Sequence, residues 1–145
     1  MNIRRGKIQD LKKITVIEAE CFPASEAATE ESFKGRLTVY PDYFWILEED
    51  GKIVSFVNGM VTDSPNLSDE MYENPHLHNP EGEWQMVFGV NTLPDYRKRG
   101  YAEKLLNEMI KDALVHYYSK FGFKNEGVSE STHGGVVWYE MRLVF

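Results

Sequence analysis

Three cations in a row, Arg97-Lys98-Arg99, stand immediately before Gly100 in a chain whose net charge is −7. From Gly100 onward, Tyr101, Leu105, Leu106, Met109 and Ile110 recur at about 3.6 residues, so the cations close a turn that opens a helix. A helix N-terminus presents unpaired backbone N–H groups and about half a positive charge. A glycine there lets a ligand approach the backbone closely. The combination makes an anion site. Arg97 and Arg99 would each add charge-assisted contacts of roughly 1.5–3 kcal/mol if desolvated. The site suits a phosphate or a pyrophosphate. It carries neither the GxxxxGK(S/T) pattern of a nucleotide P-loop nor GxGxxG.

Other reactive residue types give weaker patterns. His76-x-His78 has a spacing that ligates metal from a strand. It sits among Asn and Pro with no Cys and no evident third ligand, so no metal is expected. His116 reads as a helix-face residue. Acidic residues crowd two segments, Glu26, Glu30 and Glu31 in one and Asp63, Asp69, Glu70 and Glu73 in the other. Solubility accounts for them, and so does attraction of a cationic amine; the sequence leaves both open. The single Cys21 forms no internal disulfide, which fits a reducing compartment. It ends a helical stripe and reads as core.

The elements that must position these residues follow in order. "NIRRGKI" is a short strand. "DLKKITVIEAECF" places Leu11, Ile14, Ile17 (or Glu18) and Cys21 at helical spacing, with Asp10 as N-cap and Pro23 beyond the end. "TEESFKGRLTVYP" is a second helix with a Thr29 cap, weakened by Gly35 and stopped near Pro41. "YFWILEEDGKIVSF" is a hairpin turning at Asp50-Gly51. The polar run from Ser64 to Glu83 is a long surface loop with one helical turn around residues 69–72, and loops this long are often functional. "EWQMVFGVNTLP" reads as a buried strand. The helix from Gly100 is expected to end near Asp112, "ALVHYYSKFGF" to form a further short helix, and the rest a final hairpin turning at His133-Gly134-Gly135. This order indicates an α/β (α+β) domain with a mixed, mostly antiparallel sheet flanked by helices.

The bounds agree. At 145 residues the chain is expected to be one domain, 1–145. With 42% hydrophobic and 13% aromatic residues it can build a core, and 27% charged residues is ordinary for a soluble protein. A pI near 5.1 argues against nucleic-acid binding by bulk electrostatics. No h-region follows the charged N-terminus, and no run approaches a membrane span of ~18 apolar residues. The expectation is a cytoplasmic globular protein with no membrane partner; a homodimer is compatible with it.

Arg97-x-x-Gly100-x-Ala102, preceded by "PDYR", resembles the R/Q-x-x-G-x-G/A signature of the GNAT N-acetyltransferase superfamily. "YYSKFGF", Tyr117 to Phe123, resembles that family's FYxKxGF block, in the family's order. Within the superfamily the chain is most similar to arylalkylamine (serotonin-type) N-acetyltransferases and their bacterial relatives, over nearly its whole length in element order. The resemblance implies an acyl-CoA N-acyltransferase fold and acetyl-CoA as co-substrate. It implies that Arg97, Lys98, Arg99, Gly100, Tyr101 and Ala102 wrap its pyrophosphate. It implies that Phe88 and Val90, on a bulged strand, contact the pantetheine, and that Tyr118 is the general acid for the departing thiolate.

The acceptor implied is a small primary amine, attacking directly in a ternary complex. The amine must lose a proton, and the tetrahedral oxyanion needs a backbone N–H donor. Serotonin-type enzymes place histidines on the strand before the loop, where this chain has Trp84 and Met86. Glu83 is the next candidate base, although alternation sets it opposite Trp84, Met86 and Val90 unless a bulge re-aims it. His133 and Glu26 follow. The family also needs a strand between its third and fourth helices, and parallel neighbours need a crossover of a dozen residues or more. None fits between Ile110 and Ala113, so a segment of roughly 15–20 residues is read as missing near 110–113. Three rivals remain: a non-catalytic acyl-CoA-binding domain, a protein or peptide N-acetyltransferase, and an unrelated phosphate-binding fold.

Overall fold

The computed structural model describes residues 1–119, 123–128 and 139–143. The chain forms two compact units, residues 1–108 and 109–145.

The first unit is organised by a turn that only certain residues make. Asp50 and Gly51 have φ of +52° and +76°. Two successive left-handed residues give a turn whose twist matches that of the flanking strands, and Asp-Gly tolerates it. The turn joins β2 (Phe44–Glu49) to β3 (Lys52–Asn58). β1 (Asn2–Arg5) pairs with β2, and β6 (Gly89–Thr92) with β3, giving an antiparallel sheet in the order β1-β2-β3-β6. A separate small pair joins β4 (Val61–Thr62) to β5 (Trp84–Gln85).

Two helices supply the apolar partner for one sheet face. α1 (Leu11–Cys21) buries Ile14, Ile17 and Glu18, and α2 (Glu30–Val39) buries Phe33, Arg36 and Leu37. Ile14, Phe33, Leu37, Phe44, Ile46 and Phe56 are central to the core. Phe33 meets Phe44 and Phe56 edge-on, with centroids 6.2 and 5.9 Å apart. Thr29 caps α2 as expected, its Oγ1 accepting from the Ser32 N–H at 3.1 Å. Asp10 precedes α1 without making a side-chain cap bond. Its carboxylate accepts two bonds from Arg4 at 2.8 Å and one from the Lys7 N–H at 3.1 Å. The Arg4 Nε turns instead to Glu48.

"EWQMVFGVNTLP" is not one buried strand. It is divided into β5 and β6, and Trp84, Val87 and Val90 are exposed while Met86, Asn91 and Leu93 are buried. The cause is the crossing at Gly59: a Cβ there would stand 1.8 Å from the Met86 carbonyl oxygen. The Gln85 side-chain amide bridges the interruption, donating to the carbonyls of Gly59, Met60 and Met86 at 3.1, 3.3 and 2.9 Å. A bulge follows. The Phe88 N–H donates to the Asn58 carbonyl at 2.8 Å, while Gly89 is the register partner of Asn58.

The helix opening after the cationic loop, α4 (Tyr101–Ser119), runs without a break where two helices were expected. No Gly or Pro lies between Tyr101 and Ser119 to stop it. Beyond α4, the described residues are β7 (Phe123–Val128) and β8 (Tyr139–Leu143), paired antiparallel with a register shift between Asn125 and Val128. The expected turn at His133-Gly134-Gly135 lies outside the described residues. α3 (Asp69–Glu73) is the one turn anticipated within the long loop. Among the described residues no helix is long and apolar enough to cross a membrane.

Candidate active site

The cationic loop has the backbone of an anion site. Pro94–Tyr96 forms a 3-10 turn, after which Lys98 takes φ +64° and Gly100 φ +79°. Left-handed residues in a turn curl successive N–H groups toward one point. A positive φ is uncommon at a non-glycine residue such as Lys98. The Lys104 N–H donates to the Gly100 carbonyl at 3.1 Å, which makes Gly100 the last residue outside α4. The N–H groups of the first helical turn therefore have no partner within the helix.

A cavity of about 340 Å³ leads from this point. Arg97, Lys98, Gly100, Tyr101 and Ala102 line one end and Val90, Thr92 and Cys21 the other. The Leu93 N–H bonds the Val54 carbonyl at 2.9 Å, so strand alternation turns the backbone groups of Val90 and Thr92 away from β3. The Thr92 carbonyl accepts there from Arg97 Nε at 3.0 Å and from the Cys21 thiol at 3.4 Å. On that side β6 pairs with no other strand among the described residues. Arg99 is drawn elsewhere. It donates to the Asp95 carbonyl at 3.2 Å, lies 3.7 Å from Glu49 and stacks 5.0 Å from the Tyr96 ring. Tyr101 donates to Glu49 at 2.7 Å, and that bond raises its phenol above the ordinary range.

A second cavity, of about 590 Å³, shares Phe22 with the first in its lining. Its most buried lining residues are polar: Glu18, Arg36 and Asn58, at 6, 2 and 1% exposure. Glu18 Oε2 accepts from the Ala28 N–H at 2.8 Å, while Oε1 is buried and has no hydrogen-bond partner. A Cβ at Gly89 would lie 3.8 Å from that Oε1 and 3.4 Å from Asn91 Nδ2. The Asn91 side-chain amide is itself buried and unpartnered. Buried polar atoms without protein partners mark a place for water or a ligand. Here they gather around Gly89, one residue from Val90.

Arg36 is more fully engaged. Nη1 donates to Asn58 Oδ1 and Nη2 to the Tyr72 carbonyl, both at 3.0 Å, and Nε has no partner. Its guanidinium lies 5.1, 5.8 and 4.9 Å from the rings of Phe33, Tyr72 and Phe88. Burial holds it below its ordinary pKa, offset in part by Tyr40, Glu18 and Tyr72. Phe22, Tyr72 and Phe88 form apolar walls, and the exposed Glu26, Asp69 and Glu73 also line the cavity.

The expected site residues therefore divide. Arg97, Lys98, Gly100, Tyr101, Ala102 and Val90 share the smaller cavity, and Phe88 lines the larger. Arg99 lines neither. Glu83 is exposed and lines neither. Tyr118 falls within α4, but its side chain lies outside the described residues, as does His133. His78 is a structural residue: its Nδ1 accepts from the Val61 N–H at 3.1 Å and its ring lies 4.8 and 4.5 Å from Tyr40 and Tyr43. Sequence reasoning missed Glu18, Arg36 and Asn91. The signal for the first two was a charge on an apolar helical stripe: Glu18 beside Ile14 and Ile17, Arg36 beside Phe33 and Leu37.

Comparison with known proteins matches residues 11–123 to the sequence model of the Acetyltransferase (GNAT) family. Serotonin N-acetyltransferase of Mesocricetus auratus is 26% identical over 153 residues, covering 92% of this chain and 72% of that protein. Since 92% of this chain is about 133 residues, about 20 aligned positions face no residue of it. The loading GNATL domain of CurA from Lyngbya majuscula superposes with a TM-score of 0.69 at 28% identity, covering 77% of this chain and 57% of that one. A GphF GNAT-like decarboxylase in complex with isobutyryl-CoA gives 0.68 at 27% identity, covering 78% and 58%. The chain thus spans less than two thirds of these two solved chains.

Proposed function

The chain belongs to the Acetyltransferase (GNAT) family, and on that premise we propose that it transfers the acetyl group of acetyl-CoA to a small primary amine. The observation that carries the proposal is that two cavities share Phe22 in their lining, one reaching the α4 N-terminus, the other lined by a buried carboxylate. The pyrophosphate takes the N–H groups around Gly100 to Ala102, with Arg97 and Lys98 beside it. The pantetheine follows Val90, where outward backbone groups of β6 are available to it. Arg99 acts by holding the loop to Glu49 rather than by touching phosphate.

The amine reaches the thioester from the larger cavity. Its nitrogen attacks the acyl carbon, the carbonyl electrons move onto oxygen, and their return expels the thiolate. Glu18 Oε1 accepts the amine's proton, directly or through one water, in the role first given to Glu83. Tyr118 keeps the proton-donor role toward the thiolate that its YYSKFGF block implies. We place the missing positions near 110–113, where the resemblance calls for a crossover segment.

The test measures CoA thiol released from acetyl-CoA with a panel of primary amines, peptide N-termini and no acceptor. Turnover with free amines supports the proposal; turnover with peptides alone favours a protein acetyltransferase; binding without turnover favours an acyl-CoA sensor. A second reading is decarboxylation of a carboxyacyl-CoA, favoured by the buried Arg36 cation in the cavity and the likeness to the GphF decarboxylase. It predicts CO2 release from malonyl-CoA without any amine.

A further inference from the structure

The larger cavity is lined by exposed carboxylates as well as by a buried one. Glu26, between α1 and α2, and Asp69 and Glu73, on α3, are exposed and line it from separate segments. None of the three is in an ion pair within the described residues. The same cavity is lined by Glu18, more than nine-tenths buried, with its unpartnered Oε1. The cation of the lining is enclosed: Arg36 is held by Asn58, the Tyr72 carbonyl and three aromatic rings. Exposed and buried carboxylates thus line one cavity, together with the half-buried rings of Phe22, Tyr72 and Phe88.

We propose that the acceptor carries two cationic nitrogens separated by an apolar spacer, a diamine or a longer polyamine. One nitrogen meets Glu18 and reacts, while the second stays protonated against Glu26, Asp69 and Glu73. The carbon spacer lies along the aromatic walls. A monoamine, including an arylalkylamine, meets the aromatic walls and Glu18 but leaves the exposed carboxylates uncompensated. The inference rests on the acetyl-transfer reading and adds the substrate class to it.

The experiment compares putrescine with butylamine, cadaverine with pentylamine, and both with phenethylamine, in the wild type and in the triple variant Glu26→Gln, Asp69→Asn, Glu73→Gln. Exposed substitutions leave the core intact, and an unchanged KM for acetyl-CoA checks that. Each diamine is expected to exceed its monoamine about tenfold in kcat/KM, as three partly screened charge pairs allow. The ratio collapses toward one in the triple variant through KM, with kcat kept. It also falls as salt shortens the Debye length. Equal turnover of monoamine and diamine, or a ratio the triple variant leaves unchanged, overturns the inference while the acetyl-transfer reading stands. If acetyl-CoA binds and no amine is acetylated, the acetyl-transfer reading fails. Calorimetric titration of putrescine against butylamine then decides alone: selective binding lost in the triple variant supports the two-cation inference, and its absence refutes it.

Discussion

Replacing Glu18 with Gln removes one proton acceptor and almost nothing else. Glu18 is 6% exposed, and its Oε2 accepts from the Ala28 N–H at 2.8 Å, a bond the amide oxygen of Gln keeps. The new amide N–H2 stands where Oε1 receives no hydrogen bond, and Arg36 loses a nearby negative charge. Those two effects together cost about 1–3 kcal/mol of stability. The catalytic loss is larger. A positioned general base contributes about 10²–10⁴-fold, or roughly 2.7–5.4 kcal/mol of barrier. The lower end, about 10²-fold in kcat, is expected, because a water among the polar atoms around Gly89 still reaches the amine. The assay is steady-state CoA release at saturating acetyl-CoA, with urea unfolding of both proteins as control. The KM for acetyl-CoA stays unchanged, since Glu18 does not line the smaller cavity. Glu18→Asp recovers part of the rate. A folded Glu18→Gln protein with wild-type kcat would refute the assignment and return the base to solvent or to Glu83.

Three further outcomes follow from the fold. Thr29→Ala removes the cap of the helix that carries Arg36 and lowers stability by about 1 kcal/mol, read as a shift in urea midpoint at constant m-value. Gly59→Ala drives a methyl into the Met86 carbonyl and costs more than ~2 kcal/mol, separating β4 from β5; circular dichroism and thermal melting show it, and a wild-type melting temperature would refute the crossing. Burial lowers the pKa of His78, so the unfolded chain takes up its proton first: the stability this contributes is present above pH 6.5 and is lost as pH falls from there through the folded value. His78→Gln removes that part of the slope in chemical-denaturation curves, and a slope that persists unchanged would refute it.

Local chemistry made part of this legible. Asp50-Gly51 announced its hairpin because few other dipeptides accept two left-handed residues. Thr29 announced α2, and the cationic run before Gly100 announced the turn that opens α4. What stayed hidden depends on contacts distant in sequence. The run "EWQMVFGVNTLP" has the apolar content of a buried strand, yet Gly59, some 25 residues earlier, meets Met86 and divides it. Glu83 was favoured by its place at a strand start; only the packing of α1 over β6 shows that Glu18 is the carboxylate beside Gly89. Asp10 reads as a helix cap until Arg4 and Lys7 engage its carboxylate, which stays below the ordinary range although burial opposes this. The merging of two expected helices into α4 follows from an absence of breakers.

The central claim is that the loop from Arg97 to Ala102 holds the pyrophosphate of acetyl-CoA, and calorimetric titration tests it directly. The full chain is titrated with acetyl-CoA, and the titration is repeated on Arg97→Ala. The account predicts one-to-one binding, weakened about tenfold in the variant as one charge-assisted contact is lost. A folded chain that binds no acetyl-CoA, or a variant that binds it as tightly as the wild type, contradicts it.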